Sequence, residues 1–340
     1  MTLSPYFSVI MPLYNKAPYV RKAVESVVGQ TYGNWEMIVV DNGSSDGSGE
    51  IVAKITDSRI RTVRFEDNIG PGGARNKGVE LSGMGDQKAT PLNEGGSTTT
   101  APYICFLDAD DWWEPTFLEE MAGLIERHPD AGIYGTGYYI VKNGKKRLAP
   151  IGVDEGFEEG EINYCAVYAK TLCMPLTSIT VAMPKAVFDE TGGFKPHLKL
   201  GEDFDLWVRI ALKHKTVFLN KPLSNYNQDV DVTYRGTHHL RDPKEHMLWN
   251  LDYLESEETT NPDYKQLIDN LRTYNLMSYL LKPQYRNVAQ KELSKVDWSK
   301  QPEKTRRLYQ QPIWILSLRA YLRMMGAQIK SVIRKLFIHQ

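Results

Sequence analysis

Three carboxylates stand within four residues at Asp108-Ala109-Asp110-Asp111, directly after the apolar run Tyr103-Ile104-Cys105-Phe106-Leu107. The apolar run reads as a buried strand, and the carboxylates fall where that strand ends. In an open α/β sheet, ligands bind outside the carboxyl ends of the strands. Carboxylates crowded there repel one another unless a cation joins them, and Mg2+ or Mn2+ takes oxygen ligands of this kind. An acidic turn that caps the following helix is the alternative, because Asp favours N-caps. A second acidic group, Gly201-Glu202-Asp203-Phe204-Asp205, opens a later helical pattern. Its carboxylates either complement the helix N-terminus or supply a general base.

These groups need a scaffold, and the hydrophobic pattern supplies one. Residues 7–12, 35–40 and 60–65 are strand-like, and residues 19–30 carry a helical period at Val20, Ala23, Val24, Val27 and Val28. Helices are also expected over about 49–56 and 74–81. Strands alternating with helices predict an α/β fold built on a mostly parallel twisted sheet flanked by helices. Four strand-end segments then converge on one crevice: Pro12-Leu13-Tyr14-Asn15, residues 41–46, residues 68–75 and the acidic cluster. Asp41 suits either a base N–H or the amides of its own turn. The glycines at 70, 72 and 73 let the backbone approach a ligand, and Arg75 suits a carboxylate or a phosphate.

Beyond the cluster, the pattern predicts a helix over 115–127, strands over 131–141 and 173–183, and a small helix from Lys185. A helix running to about His214 and a strand near 217–219 close the domain at about residue 226. Residues 227–340 read as a helical C-terminal extension with breaks near Pro262, Pro283 and Pro302. Residues 82–101 interrupt the rhythm with four Gly, four Thr, two Ser and one Pro. Such a stretch is either a flexible surface insertion or a flap over the ligand.

Composition bounds the class. A chain of 340 residues with 41% hydrophobic and 24% charged residues can form one large domain and a smaller unit. The formal net charge of −1 gives no argument for nucleic-acid binding. Cys105, Cys165 and Cys173 have neither metal-ligand nor redox spacing, so a buried thiol at Cys105 in a reducing compartment is expected. Residues 1–6 lack the pattern of a signal peptide, and no run of about 18 apolar residues occurs, so a cytoplasmic protein is expected. Residues 312–340 hold no acidic residue; Arg319, Arg323, Lys330 and Arg334 line one helical stripe beside Leu318, Leu322, Met325, Ile329, Val332 and Leu336. That stripe fits an anionic membrane surface, and equally a helix packed on the catalytic domain or in a homodimer. No Gly-x-Gly-x-x-Gly follows the first strand and no P-loop is present, which speaks against dinucleotide-binding dehydrogenases and P-loop enzymes.

Taken in order, Ser8-Val9-Ile10-Met11-Pro12-Leu13-Tyr14-Asn15, Val39-Val40-Asp41-Asn42-Gly43-Ser44-Ser45-Asp46, Asn68-Ile69-Gly70 with Ala74-Arg75-Asn76, Leu107-Asp108-Ala109-Asp110-Asp111 and Gly201-Glu202-Asp203 form one set of motifs. The set resembles the family 2 inverting glycosyltransferases of the glycosyltransferase A fold, over about residues 5–225. The resemblance implies a nucleotide-sugar donor, usually UDP-linked, and Mn2+ or Mg2+ on its diphosphate. It implies transfer of a single sugar to a glycan or lipid-linked acceptor in surface polysaccharide biosynthesis. By that analogy Asp41 holds the uracil with Pro12 and Tyr14 beside the base, Arg75 lines the donor site, Asp108 lies near the ribose, and Asp110 ligates the metal. Asp203 would be the base, its pKa raised by partial desolvation beside Phe204 and Trp207. Asp111 is expected to cap the next helix. No Gln-x-x-Arg-Trp occurs, a motif that marks processive members. Many relatives carry a His shortly after the last sheet strand, where this chain has Tyr226-Asn227-Gln228-Asp229. His238 follows, as a metal or diphosphate contact or as a surface residue. A sugar-phosphate nucleotidyltransferase would want a glycine-rich basic loop at 12–17, which is absent. A non-catalytic glycan-binding or assembly protein is disfavoured by Asp110 and Asp203.

Overall fold

The computed structural model describes residues 4–83, 103–231 and 240–322. They fall into two compact units, Met1–Leu254 and Glu255–Gln340. Most of the 82–101 insertion, from residue 84 on, lies outside the described residues, as do His238 and the tail from residue 323.

In the first unit β1 (Phe7–Leu13), α1 (Val20–Val28), β2 (Trp35–Asp41), α2 (Ser48–Ala53), β3 (Ile60–Arg64), α3 (Gly70–Leu81) and β4 (Tyr103–Phe106) alternate as the sequence predicts. The chain continues through β5 (Trp112–Trp113), α4 (Phe117–Arg127), β6 (Ile133–Lys142), β7 (Lys145–Leu148), β8 (Glu159–Ile162) and α5 (Tyr164–Thr171). β9 (Val181–Pro184), α6 (Lys185–Thr191), α7 (Glu202–Ala211) and β10 (Thr216–Asn227) complete it. All ten strands form one sheet with the order β3-β2-β1-β4-β9-β6-β10-β5, while β7 pairs with β6 and β8 with β10. From β3 to β4 the pairing is parallel. Beyond β4 the sheet is mixed, because β9 enters antiparallel between β4 and β6.

Side-chain alternation divides β1 between two layers. Phe7, Val9, Met11 and Leu13 pack with Val20, Val24 and Val27 of α1 and with Phe117, Leu118 and Met121 of α4. Ile10 faces the opposite layer, where α3 lies close to the strand. A Cβ at Gly78 would sit 2.2 Å from Ile10 Cγ2, so only glycine lets α3 settle at this depth. The same layer holds Phe106 against Phe194, Phe188 and Trp207, with ring centroids 5.2, 6.1 and 6.3 Å away. Strand β1 is thus buried on both faces, which explains its unbroken apolar run.

Three stretches depart from the sequence pattern. Helix α4 starts at Phe117 rather than 115, because Trp112 and Trp113 pair with Asn225 and Ser224 of β10. The strand expected over 173–183 is confined to β9, since Thr177 and Thr180 close a capping box around one 3-10 turn. β7 has four exposed residues and no apolar alternation, and β8 and α5 gave no readable signal either. The first unit also includes residues 240–254: Lys199 N–H donates to Glu245 O at 2.8 Å and Met247 N–H to Leu200 O at 3.0 Å.

The second unit is helical, with α8 (Glu257–Thr260), α9 (Pro262–Leu280), α10 (Arg286–Leu293) and α11 (Glu303–Tyr309). Its centre is ionic: buried Arg272 meets Glu258 at 2.6 Å and Asp269 and Glu292 at 3.3 Å. Removing Arg272 would leave three carboxylates crowded together with only Lys265 and Lys295 against them. No helix among the described residues is long and apolar enough to cross a membrane.

Candidate active site

The loops after β1 and β2 are laced together. Asn15, at φ 50°, donates its N–H to Ser44 Oγ at 3.1 Å, and its side-chain oxygen accepts from Ser45 N–H at 2.9 Å. Lys16 N–H donates to Ser48 Oγ at 2.8 Å, and Ala17 N–H to Asp46 Oδ2 at 2.9 Å. Asp41 lies buried at the end of β2, accepting from Ser44 N–H at 2.9 Å and from Arg64 Nη1 at 3.0 Å. Pro12 is half-buried in β1 and Tyr14 is exposed beside it. Asn42 Nδ2 donates to Asn68 Oδ1 at 2.8 Å, and Ile69 N–H returns a bond to Asn42 Oδ1 at 3.1 Å. Pro12, Tyr14, Asp41 and Asn68 therefore border one rim.

Each carboxylate of the acidic cluster has its own partner. Asp108 Oδ1 accepts from Arg75 Nη2 at 2.7 Å. Asp110 Oδ2 pairs with Lys16 Nζ at 2.5 Å. Asp111, 3% exposed, accepts Asn227 N–H at 2.7 Å, while Asn227 Nδ2 donates to Asp110 O at 3.1 Å. Asp111 therefore does not cap the next helix. Thr116 is the N-cap of α4 and makes no side-chain cap bond, and Asp111 instead clamps the end of β10 to the cluster. Burial, then Asp110 and Asp108, hold the Asp111 carboxyl well above the usual carboxylate range. Burial likewise raises Asp110, with Lys16 opposing and Asp108 adding to the shift. A groove of about 450 Å³ opens beside Asp110, lined among others by Tyr19, Lys22, Trp112, Lys146 and Asn227.

Among the described residues, no group of three His, Cys, Asp or Glu side chains gathers at metal-holding spacing. That is compatible with Mg2+ or Mn2+, which one or two carboxylates and substrate phosphates commonly hold. The donor set fits as well: Asp110 offers oxygen, and an ammonium already stands against it.

On the other side of Arg75 lies the second acidic group. Gly201, at φ +80°, turns the chain into α7, and a Cβ there would meet Met247 Sδ at 2.4 Å. Arg75, 3% exposed, carries its Nη1 3.2 Å from Glu202 Oε1 while Nη2 holds Asp108. Phe194 lies under its guanidinium with the ring centre 5.3 Å away. Asp203 accepts Phe204 N–H at 2.7 Å. Burial and then Glu202 push its carboxyl up to about 7, against the Phe204 N–H and Arg75. Fully buried Asp205 anchors this end of α7 through Lys195 at 2.8 Å, Arg209 at 2.8 Å and Tyr253 Oη at 2.6 Å.

Of the sequence-derived residues, Pro12, Tyr14 and Asp41 share one rim, Asp108 is bonded to Arg75, Asp203 lies next to Glu202, the other partner of Arg75, and Asp110 stands apart on Lys16. Arg75 meets carboxylates here. Lys16 and Glu202 were not singled out. A lone loop lysine carries no sequence signal, and Glu202 was read only as part of a helix start.

Comparison with known proteins adds an independent line. The model of glycosyl transferase family 2 matches residues 8–83 and 85–172. The amylovoran biosynthesis glycosyltransferase AmsB of Erwinia amylovora is 28% identical over 271 residues, covering 76% of this chain and 80% of that protein. The putative teichuronic acid biosynthesis glycosyltransferase TuaG of Bacillus subtilis is 28% identical over 227 residues, covering 65% of this chain and 79% of that protein. An uncharacterized glycosyltransferase of Rickettsia felis is 29% identical over 252 residues, and the match spans only 38% of its length. Among solved structures, S. aureus TarS 1-349 in complex with UDP-GlcNAc superposes with a TM-score of 0.67 at 19% identity, covering 88% of this chain and 82% of that one.

Proposed function

Because this chain belongs to glycosyl transferase family 2, we propose that it transfers a single sugar, with inversion, from a UDP-linked donor to a glycan or lipid-linked acceptor during surface polysaccharide assembly. The observation that carries this reading is Arg75, which brings the donor-side carboxylate Asp108 and the helix start bearing Asp203 to one guanidinium.

Uracil would sit at the rim formed by Pro12, Tyr14 and Asp41, and the ribose beside Asp108. Arg75 reaches the donor through Asp108. Asp110 would hold a divalent cation, Mn2+ or Mg2+, and such an ion neutralises the charge of a departing nucleoside diphosphate. Asp203 takes the proton of the acceptor hydroxyl as its oxygen attacks the anomeric carbon from the face opposite the leaving group. A carboxylate pushed up to about 7 is a stronger base than an exposed one and is still ionised in part at neutral pH. Relatives named for amylovoran and teichuronic acid biosynthesis, and a fold neighbour solved with UDP-GlcNAc, support the acceptor and donor classes. The test is Asp203→Asn with a panel of UDP-sugars: transfer should fall at least a hundredfold while UDP binding persists. Retained transfer would refute the base, and a retained anomeric configuration in the product would refute inversion.

The C-terminal tail bears on the acceptor. Trp314, Leu318, Tyr321 and Leu322 are 68%, 50%, 55% and 59% exposed, and residues 312–340 carry no acidic side chain. Apolar exposure beside positive charge supports contact with an anionic membrane surface, which would bring the enzyme to a lipid-linked acceptor. The full chain should float with vesicles containing phosphatidylglycerol and not with phosphatidylcholine alone. Trp314→Ala with Leu318→Ala should reduce flotation several-fold, and equal flotation would sink this part of the reading.

A further inference from the structure

Arg75 reaches the donor only through Asp108, and Glu202, its second partner, has no task in the donor and base assignments. The guanidinium is buried over Phe194, with one nitrogen on each of two carboxylates that lie 94 residues apart in the chain. Gly72 makes room for this: a Cβ there would stand 3.3 Å from Phe194 Cβ and 3.7 Å from Glu202 Cγ. Nε of Arg75 has no hydrogen-bond partner among the described residues, so the side chain is held by its two carboxylates and by packing alone. Burial works against its charge, yet Asp108, Glu202 and Asp203 together raise its pKa, so it stays a cation throughout the working range.

The charges do not balance. Asp108, Glu202 and Asp203 surround one arginine, and the group carries a surplus of negative charge whenever all three ionise. Like charges in a partly buried site share protons. The groups that act on Asp203 are Glu202 beside it on α7, Arg75 from α3 and Asp108 from the end of β4, together with the Phe204 N–H. Tyr164 of α5 adds a buried phenol that burial, with Tyr168, Cys165 and Asp203, keeps neutral. Of the charged groups, Glu202 raises the Asp203 carboxyl and Arg75 lowers it, so the two pull in opposite directions.

We infer that Arg75 and Glu202 are positioning residues for the transfer reaction, fixing the orientation of Asp203 and setting the pH at which it becomes a base. The inference rests on Asp203 being that base. Glu202 holds the start of α7 onto Arg75, and Arg75 holds Asp108, so the carboxylate that faces the acceptor is located relative to the one that faces the donor. Glu202 contributes repulsion that keeps a proton on Asp203, and Arg75 contributes the attraction that releases it.

The experiment is a pair of substitutions with opposite signs. Glu202→Gln keeps the side-chain length and can still accept from Arg75, but removes a negative charge. The acid limb of the kcat/KM profile should move to lower pH by about one unit. Arg75→Met removes the positive charge, and the limb should move to higher pH by at least as much. A merely structural role would lower both rates without moving either limb. Because Arg75→Met leaves two carboxylates facing each other, Arg75→Lys serves as a second variant: it restores charge without the fork and should return the limb towards wild type while kcat stays low. The titration of Asp203, followed by its 13C carboxyl shift in the full chain, reads the same displacements without any turnover. Limbs and titrations that stay at the wild-type position in both variants, or move the same way, overturn the inference. Transfer surviving Asp203→Asn while the titrations shift as stated would instead overturn the base assignment.

Discussion

Replacing Asp203 by Asn should abolish transfer and, at the same time, stabilise the protein above neutral pH. The reasoning starts from burial. The carboxyl of Asp203 is pushed from 3.8 to about 7, chiefly by desolvation and then by Glu202. Its folded-state value lies above that of the unfolded chain, so the native state holds the extra proton between about pH 4 and pH 7. Wild-type stability therefore falls as pH rises through that window and levels off above it. A shift of about three units corresponds to a ceiling of about 4 kcal/mol, and partial solvent access to the cleft reduces the expected effect to about 2 kcal/mol. Asparagine keeps the shape and carries no charge to desolvate. The variant and wild type should thus unfold at similar urea concentrations at pH 4.5, and the variant at a clearly higher one at pH 8. Equilibrium urea unfolding of both proteins at the two pH values decides the matter. A difference in midpoint that is the same at both pH values, or a variant less stable at pH 8, would refute the claim that Asp203 is ionised at a cost. Wild-type kcat/KM should rise about tenfold per pH unit below 7 and flatten above it.

Other substitutions probe the scaffold and the donor side. Gly78→Ala drives a methyl against Ile10 Cγ2 and should cost about 1–3 kcal/mol, read as a lower thermal midpoint that Ile10→Ala partly restores. Gly201→Ala places a side chain at φ +80°, at about 1–2 kcal/mol, and by displacing the start of α7 should lower transfer more than UDP binding. Asp110→Asn should remove the extra thermal shift that Mn2+ adds to UDP, since a ligand stabilises only the state that binds it; an undiminished Mn2+ effect would move the metal elsewhere.

The centre of the parallel half was legible because β1 and β2 are buried along almost their whole length and α1 carries a strong apolar period. Phe7 to Leu13 and the Val20, Val24, Val27 stripe announce themselves by pattern alone. The mixed half was not, for physical reasons that differ by element. β7, with Lys145, Lys146 and Arg147, has no buried face to print a period of two. Thr177-Ser178-Ile179-Thr180 reads as strand because Thr177, Ile179 and Thr180 are β-branched, yet Thr177 and Thr180 satisfy each other locally and close a turn. The acidic cluster was placed correctly at a strand end, but Asp111 was misread. Its true partner, Asn227 N–H, lies 116 residues downstream, and nothing local distinguishes a carboxylate that clamps a distant strand from one that caps the next helix.

Asp108, Asp110 and Asp111 are chemically identical side chains within four residues, and the fold separates them by what it sets against each. Asp108 faces a guanidinium that also holds Glu202, Asp110 an ammonium from the β1–α1 loop, and Asp111 a backbone amide of β10. These partners differ in how easily a ligand can replace them. A backbone amide in a strand cannot leave, so Asp111 stays structural. A buried arginine that bridges two carboxylates is slow to give way, so Asp108 is held at a fixed place. Of the two cations, the lysine on Asp110 is the one that a stronger cation displaces more readily, because an ammonium on four methylenes can swing aside without disturbing the backbone. The acidic strand end is therefore most exchangeable at its middle carboxylate, the position where the proposed reaction needs a cation to arrive with the donor.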